Sequence, residues 1–71
     1  MKYIILNEME IEVAVLFDEL LTHDQVAGGR AAVSAGFCNA EGTAWGQSVG
    51  LRLKARPQDT AIIQASMARR T

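Results

Sequence analysis

Cysteine, histidine, proline, tyrosine and tryptophan each occur only once in this 71-residue chain. A single cysteine excludes an intramolecular disulfide and fits a reducing cytosol. One histidine with one cysteine is too few for a structural zinc site unless many carboxylates contribute. We therefore expect a cytoplasmic protein with no metal and no other cofactor. A domain of this length buries only about 60% of its unfolded surface, so its stability is marginal without a supplement. A partner chain is the supplement that remains, which predicts a homo-oligomer, most simply a homodimer.

The sequence also lacks a long apolar run, a leader segment and a surplus of charge. The apolar stretch from Ile4 to Leu6 ends at Asn7 and Glu8, so neither secretion nor a membrane span is expected. The formal net charge is −1, but acidic side chains dominate residues 1–24 and basic side chains dominate residues 52–71. Either the two ends pack together and their charges pair on one surface, or the protein is dipolar with a basic contact patch.

Apolar and polar side chains alternate along much of the chain, with the period of half-buried strands. The pattern predicts strands over Lys2 to Asn7, Glu10 to Phe17, Ala31 to Asn39 and Thr43 to Lys54. The last of these is one long strand or two pieces bent at Gly46 or Gly50. Its apolar face would carry Val49, Leu51 and Leu53, and its polar face Arg52 and Lys54.

Two helices complete the predicted fold. Thr22 and Gln25 have the spacing of a capping box and Gly28 can end a helix, which together predict one helical turn over His23 to Ala27. Pro57 fits the first position of a second helix that runs to Arg70. Its sheet-facing side would combine Ala61, Ile62, Ala65 and Ala68 with Ile63 and Met67. The prediction is a single α+β domain over residues 1–71: a small antiparallel sheet of four to five strands, one short helical turn and a C-terminal helix packed on one face.

A basic ladder is the best candidate for a binding site. Arg52 and Lys54 would share one strand face, and Arg56 follows them, so the three could contact an anionic partner. No aromatic residue alternates with these cations, and the net charge is slightly negative, so nucleic-acid binding is the alternative rather than the leading hypothesis. Leu16, Leu20 and Leu21, with Met9, exceed what so small a core can hold, and they are the candidates for self-association.

Catalysis has weaker support in the sequence. His23 could form a pair with Cys38 or with Ser34, but no spacing fixes that geometry, and such a pair of residue types without a family signature carries little information. Glu10 and Glu12 would share a strand face and are expected to be solvated. Gly28, Gly29 and Arg30 follow a helical turn instead of preceding a helix, which is the wrong side for a phosphate site.

Several short segments resemble small uncharacterised proteins of bacterial genomes and their prophages. They are residues 1–4, 21–23, 34–37, 46–51 and 56–59, and together they span most of the chain. The resemblance implies a bacterial or phage accessory protein, and it assigns no activity and no catalytic residue. The leading hypothesis is therefore a small non-catalytic binding protein that self-associates. The alternatives are a nucleic-acid-binding accessory protein and an enzyme centred on His23 and Cys38.

Overall fold

The protein is described by a computed structural model that covers residues 1–69, and Arg70, at the end of the predicted C-terminal helix, lies outside the described residues. The elements in chain order are β1 (Lys2–Glu8), β2 (Ile11–Phe17), α1 (His23–Ala27), β3 (Ala32–Cys38), β4 (Ala44–Trp45), β5 (Gln47–Ser48), β6 (Leu53–Lys54) and α2 (Asp59–Ala68). Strands β2, β1, β3 and β4 form, in that order, one antiparallel sheet, and β5 pairs with β6. The α+β prediction is confirmed.

Strand β1 lies at the centre of the sheet and is buried on both faces. Tyr3, Ile4, Ile5 and Leu6 expose at most 1% of their surface. A strand covered on both faces carries a continuous apolar run instead of an alternating one. The short apolar run at the start of the sequence is therefore the central strand of the fold.

Each face of the sheet has its own cover. On one face, the α2 face, Ile63 of α2 packs with Tyr3, Ile5, Ala14 and Cys38. On the other face, the α1 face, Ile4 and Leu6 pack with Ala27 of α1, with Ala35 of β3, and with the hairpin formed by β5 and β6. The sequence predicted the helix on one face; it did not predict that a hairpin would help to cover the second.

Helix α1 forms as the sequence predicts. The Thr22 hydroxyl accepts a hydrogen bond from the Gln25 backbone N–H at 3.2 Å, and the Gln25 side chain accepts one from the Thr22 N–H at 2.9 Å. Gly28 ends the helix in a left-handed conformation, with φ of 56°. Arg30 donates to the carbonyl of Ala27 at 3.0 Å. The glycines and Arg30 thus terminate a helix.

Of the two alternatives for Thr43 to Lys54, the structure contradicts one long strand and agrees with separate pieces bent at Gly46. The chain bends at Gly46, where φ is 80°, and turns again over residues 49–52. Arg52 lies in that second turn with φ of 58°, and Val49 is 80% exposed. Arg52 and Lys54 therefore do not share one strand face. Glycine is needed at the first bend because its φ is positive and because a Cβ there would meet the Phe37 ring at 2.9 Å.

The start and inward face of α2, and the position of the β1–β2 turn, also differ from the prediction. Helix α2 begins at Asp59, after Pro57, and it buries Ile63 while Ala61, Ala65 and Ala68 are exposed. The larger side chains on that helix remove more apolar area from water, so they take the inward positions. The β1–β2 turn lies at Met9 and Glu10, both with positive φ, so Glu10 is in the turn and not in the strand.

Candidate functional site

Arg56 belongs to an ion-pair network and not to a ladder of free cations. Its Nη2 donates to Glu12 Oε1 at 2.7 Å, its Nη1 donates to Glu12 Oε2 at 3.2 Å, and its Nε donates to Asp59 Oδ1 at 2.9 Å. The hydrogen bonds from Arg56 hold the pKa of Glu12 below its ordinary value, and those to Glu12 and Asp59 raise the pKa of Arg56. The acidic and basic ends of the chain therefore pair here, and Arg56 is already engaged within the fold.

Asp59 is the buried centre of this network. It is fully buried, and its Oδ2 accepts hydrogen bonds from the Tyr3 hydroxyl at 2.6 Å and from the Arg56 backbone N–H at 3.0 Å. Burial alone would raise the pKa of Asp59, but the hydrogen bonds from Tyr3 and Arg56 outweigh it and hold that pKa below its ordinary value. The nearby Ser34 hydroxyl makes no hydrogen bond of good geometry within the described residues, so it contributes less than Tyr3. The network ties β1, β2 and α2 together.

Tyr3 should resist ionisation until the protein unfolds. Burial, and then its hydrogen bond to Asp59, raise the pKa of Tyr3 far above that of an unfolded tyrosine, which is about 10. Because the folded-state pKa is the higher one, the stability that Tyr3 contributes is complete below about pH 10 and is lost as the pH rises further. We expect phenolate absorbance, which comes from this single tyrosine, to rise together with the loss of circular dichroism. A phenolate signal from protein with native dichroism would contradict this, and protein in urea supplies the control.

Lys54 and Trp45 line one open groove. Its walls are residues 44–47 and 54–57, and it encloses about 600 Å³. Gln47 of β5 pairs with Lys54 of β6, and the Ala55 N–H donates to the Gly46 carbonyl at 2.9 Å. These backbone contacts bring the β4 side of the groove next to the β6 side. Lys54 is exposed and forms no ion pair with any other described residue.

Trp45 packs against another aromatic ring although half of its surface is exposed. It is 51% exposed, and its ring stacks on Phe37 with centroids 6.3 Å apart. Phe37 in turn meets the His23 ring, which contacts Phe17 edge to face at 5.4 Å. Four rings thus form a row that ends at the groove. No aromatic residue alternates with the cations along one strand; Trp45 of β4 instead reaches the groove beside Lys54 of β6 because the chain bends at Gly46. That glycine is the one signal of the arrangement in the sequence.

Arg52 lies in the turn beside the groove. It lines a neighbouring depression of about 330 Å³ with Ser48, Leu53 and Lys54. Like Lys54, it is exposed and forms no ion pair with the described residues. Of the predicted basic ladder, the structure therefore leaves two free cations, Arg52 and Lys54, at adjoining sites.

His23 and Cys38 lie on opposite faces of the sheet. His23 packs against Phe17 and Phe37 on the α1 face, and its Nε2 lies 2.9 Å from the Gly36 carbonyl, a geometry in which Nε2–H donates. Cys38 is fully buried on the α2 face, where burial raises the pKa of its thiol. The structure does not bring the pair together.

The three leucines predicted for self-association have different surroundings. Leu16 is half-buried and packs against the core of the α2 face, and its part in self-association stays a prediction. Leu20 is 90% exposed and Leu21 is 44% exposed, in the loop that follows β2. Met9 is 94% exposed in the β1–β2 turn.

Within residues 1–69, no helix has the length and apolar character needed to cross a membrane. In the same residues, no three His, Cys, Asp or Glu side chains are grouped so that they could hold a metal ion. Comparison of the chain with protein-family models, with curated proteins and with solved structures gives no match.

Proposed function

We propose that this is a small non-catalytic binding protein, and that its groove takes an extended acidic segment of another protein. The observation that carries the proposal is that Trp45, half-exposed and stacked on Phe37, shares one open groove with the free cation Lys54. A rigid aromatic ring offers a large contact area at little cost in conformational entropy. A neighbouring cation selects for partners that carry negative charge.

Arg52 extends this surface by a second positive charge. It shares the adjoining depression with Lys54, so an extended segment that crosses the groove passes both cations. Charges on the rim of a contact change the association rate and its salt dependence more than the final affinity. Binding is therefore expected to weaken as salt is added, while the apolar contact with Trp45 persists.

Nucleic acid is the second candidate. A base could stack on Trp45 while Lys54 and Arg52 contact phosphates, which is a common arrangement in single-strand binding. Arg56, however, is engaged by Glu12 and Asp59, and the net charge of −1 repels a polyanion at longer range. An acidic peptide presents fewer charges, so we favour it. The free thiol of Cys38 fits a cytoplasmic setting for this binding.

Tryptophan fluorescence provides the test, because Trp45 is the only tryptophan. The probes are decapeptides in which Glu alternates with Val, Leu or Ala, and an oligothymidylate of ten nucleotides. We expect the peptides to shift the emission of Trp45 at low salt. Lys54→Glu should weaken that binding by about tenfold, since it replaces an attractive charge by a repulsive one.

The matched control is Arg69→Glu, which makes the same reversal of an exposed positive charge outside the groove. This variant should bind the peptides as the wild type does. Equal weakening in both variants would mean that only net charge matters. Binding of the oligonucleotide without binding of any peptide would replace the proposal by its nucleic-acid alternative. No response to either probe at millimolar concentration would refute both.

A further inference from the structure

Strand β2 forms an open edge of the sheet. It is seven residues long, and all seven pair with β1 in an unbroken register on one side. The sheet order ends at β2, so the backbone on its other side has no strand partner within the described residues. Such edges are usually blunted by proline, lysine, bulges or a short length. Strand β2 contains neither proline nor lysine, has no bulge against β1, and is as long as the central strand. Its one charged side chain, Glu12, is paired with Arg56 of the same copy.

The alternation of backbone hydrogen bonds along β1 shows which residues of β2 direct their N–H and C=O groups to the open edge. Met1 and Cys38 exchange backbone hydrogen bonds, at 2.8 Å and 3.0 Å, so the odd residues of β1 bond to β3. The even residues of β1 therefore bond to β2, through Ile11, Val13, Val15 and Phe17. Glu12, Ala14 and Leu16 are left to direct their N–H and C=O groups outward.

We infer that this edge is a homodimer interface in which β2 pairs antiparallel with β2 of a second copy, around a two-fold axis at Ala14. In this register Ala14 faces Ala14 of the second copy, and Glu12 faces Leu16. All three residues have outward backbone groups, so the two strands can exchange hydrogen bonds along their length. The two four-stranded sheets would then join into one continuous sheet.

In that register the side chains of β2 are complementary to those of β2 in the second copy. Ile11, which is 64% exposed, would face Phe17 of the second copy, and Val13, which is 38% exposed, would face Val15. Each of these pairs is apolar, and such cross-strand pairs stabilise sheets. The carboxylate of Glu12 would face a leucine instead of another carboxylate, and it is drawn towards Arg56. A shift of the axis to Glu12 would place like charges opposite each other, which disfavours that register.

The exposed apolar residues outside the strand would meet at the ends of this interface. Met9 precedes β2, and Leu20 and Leu21 follow it, so an antiparallel pair brings Met9 of one copy to the end that carries Leu20 and Leu21 of the other. A minimal specific interface buries about 1,000 Å² in total, or about 500 Å² on each copy. That is about one-ninth of the 4582 Å² surface of one copy. Strand β2 and these exposed side chains can supply that share.

Charge sets the expected response to salt. Glu8 and Glu10 at the hairpin turn of one copy would approach Asp18 and Glu19 of the other, which the N-terminal amine at 3.5 Å from Glu19 offsets only in part. The centre of the interface is therefore apolar, and at each of its two ends the negative charges of the two copies repel each other. Added salt screens that repulsion and should strengthen the dimer. An ionic head-to-tail association would show the opposite response.

This interface is independent of the proposed groove. Strands β2 and β4 are at opposite edges of the sheet, and Trp45 belongs to β4. A dimer built on β2 thus leaves Trp45 of both copies exposed, and the groove touches β2 through the pairing of Arg56 with Glu12. Loss of peptide binding would leave the dimer proposal intact, and loss of dimerisation would leave the groove proposal intact.

The test compares two valine-to-lysine substitutions by sedimentation equilibrium. Val13→Lys places a charge on the edge, where it would face Val15 of the second copy; Val49→Lys makes the same change at an 80%-exposed valine of the β5–β6 turn. We expect a wild-type dimer at micromolar concentration that strengthens with salt. Val13→Lys should raise the dissociation constant by about tenfold or more, and Val49→Lys should match the wild type.

Hydrogen exchange adds a readout specific to the register. The amides of Glu12, Ala14 and Leu16 should exchange slowly in the dimer and quickly in Val13→Lys, because these amides point to the open edge. Ile11→Lys serves as a second variant if Val13→Lys does not fold. A wild type that is monomeric at millimolar concentration, fast exchange at these three amides in a dimer, or a dimer unaffected by either edge substitution would each overturn the inference.

Discussion

Replacing Asp59 by alanine is expected to cost about 3 kcal/mol of unfolding free energy. The carboxylate is fully buried and accepts hydrogen bonds from the Tyr3 hydroxyl and from both the backbone and the side chain of Arg56. The substitution leaves the buried Tyr3 hydroxyl without an acceptor, and an unpaired buried polar group is costly. Asp59 also stands at the start of α2, where a negative charge interacts favourably with the helix dipole.

A loss of this size is large for so small a domain, whose total stability is expected to be near 5 kcal/mol. Urea unfolding at pH 7, followed by the fluorescence of Trp45, measures it. The matched control is Glu12→Ala, which removes an exposed carboxylate from the same arginine and should have a much smaller effect, because exposed ion pairs contribute little. Equal losses in the two variants would mean that burial of Asp59 has no special importance.

Because of the same network, the loss of stability in Asp59→Ala should depend on pH. The pKa of Asp59 is lower in the folded protein than in the unfolded chain, so its contribution is complete above about pH 4. The contribution is lost as the pH falls through the folded-state pKa. The difference in stability between the wild type and Asp59→Ala should therefore shrink in acid. A difference that stays constant from pH 7 to strong acid would show that the carboxylate acts through its shape and not through its charge.

Gly36→Ala is expected to separate β4 from β3, at a cost of about 1–3 kcal/mol. A Cβ at this position would lie 2.5 Å from the Trp45 carbonyl oxygen, which is backbone and cannot move aside without shifting the strand. The φ of Gly36 is not in the left-handed region, so alanine suffers no intrinsic conformational strain there. The whole effect should come from contact with β4.

Gly29→Ala separates the effect of a steric contact from the effect of backbone strain. Nothing lies within 4 Å of a Cβ at Gly29, but its φ is 81°, so alanine is strained there without any clash. Both variants should be destabilised in urea, but only Gly36→Ala should change the native emission of Trp45, because β4 carries that ring. An unchanged native spectrum in Gly36→Ala would contradict the expected separation of β4 from β3.

How far the sequence predicts this protein depends on the range of the interactions involved. The Thr22–Gln25 capping box was predicted residue by residue, since its signal lies within four neighbouring positions. The alternation in Ile11 to Phe17 predicted β2, and the apolar side chains of residues 59–68 predicted α2. The bends at Gly46 and over residues 49–52 were foreseen only as possible kinks, because a regular alternation of side chains continues through them.

The candidate site was predicted less well, for a physical reason. Arg56 is drawn into the fold by Glu12, 44 residues away in the sequence, and Trp45 reaches Lys54 only across a bend. Local pattern cannot show which opposite charges will meet or which ring will stand beside which cation. The sequence pattern identified Arg52 and Lys54 as exposed cations. Only the structure shows that Trp45 lies beside Lys54.

The hydrogen bond between Tyr3 and Asp59 joins residues 56 positions apart, and it affects how the chain must fold during synthesis. Strands β1, β2 and β3 are synthesised before α2, which covers their second face. Without α2, the side chains of Tyr3, Ile5 and Cys38 would have no cover on that face. A chain that stops short of residue 59 would therefore expose apolar groups that chaperones and other unfolded chains can bind.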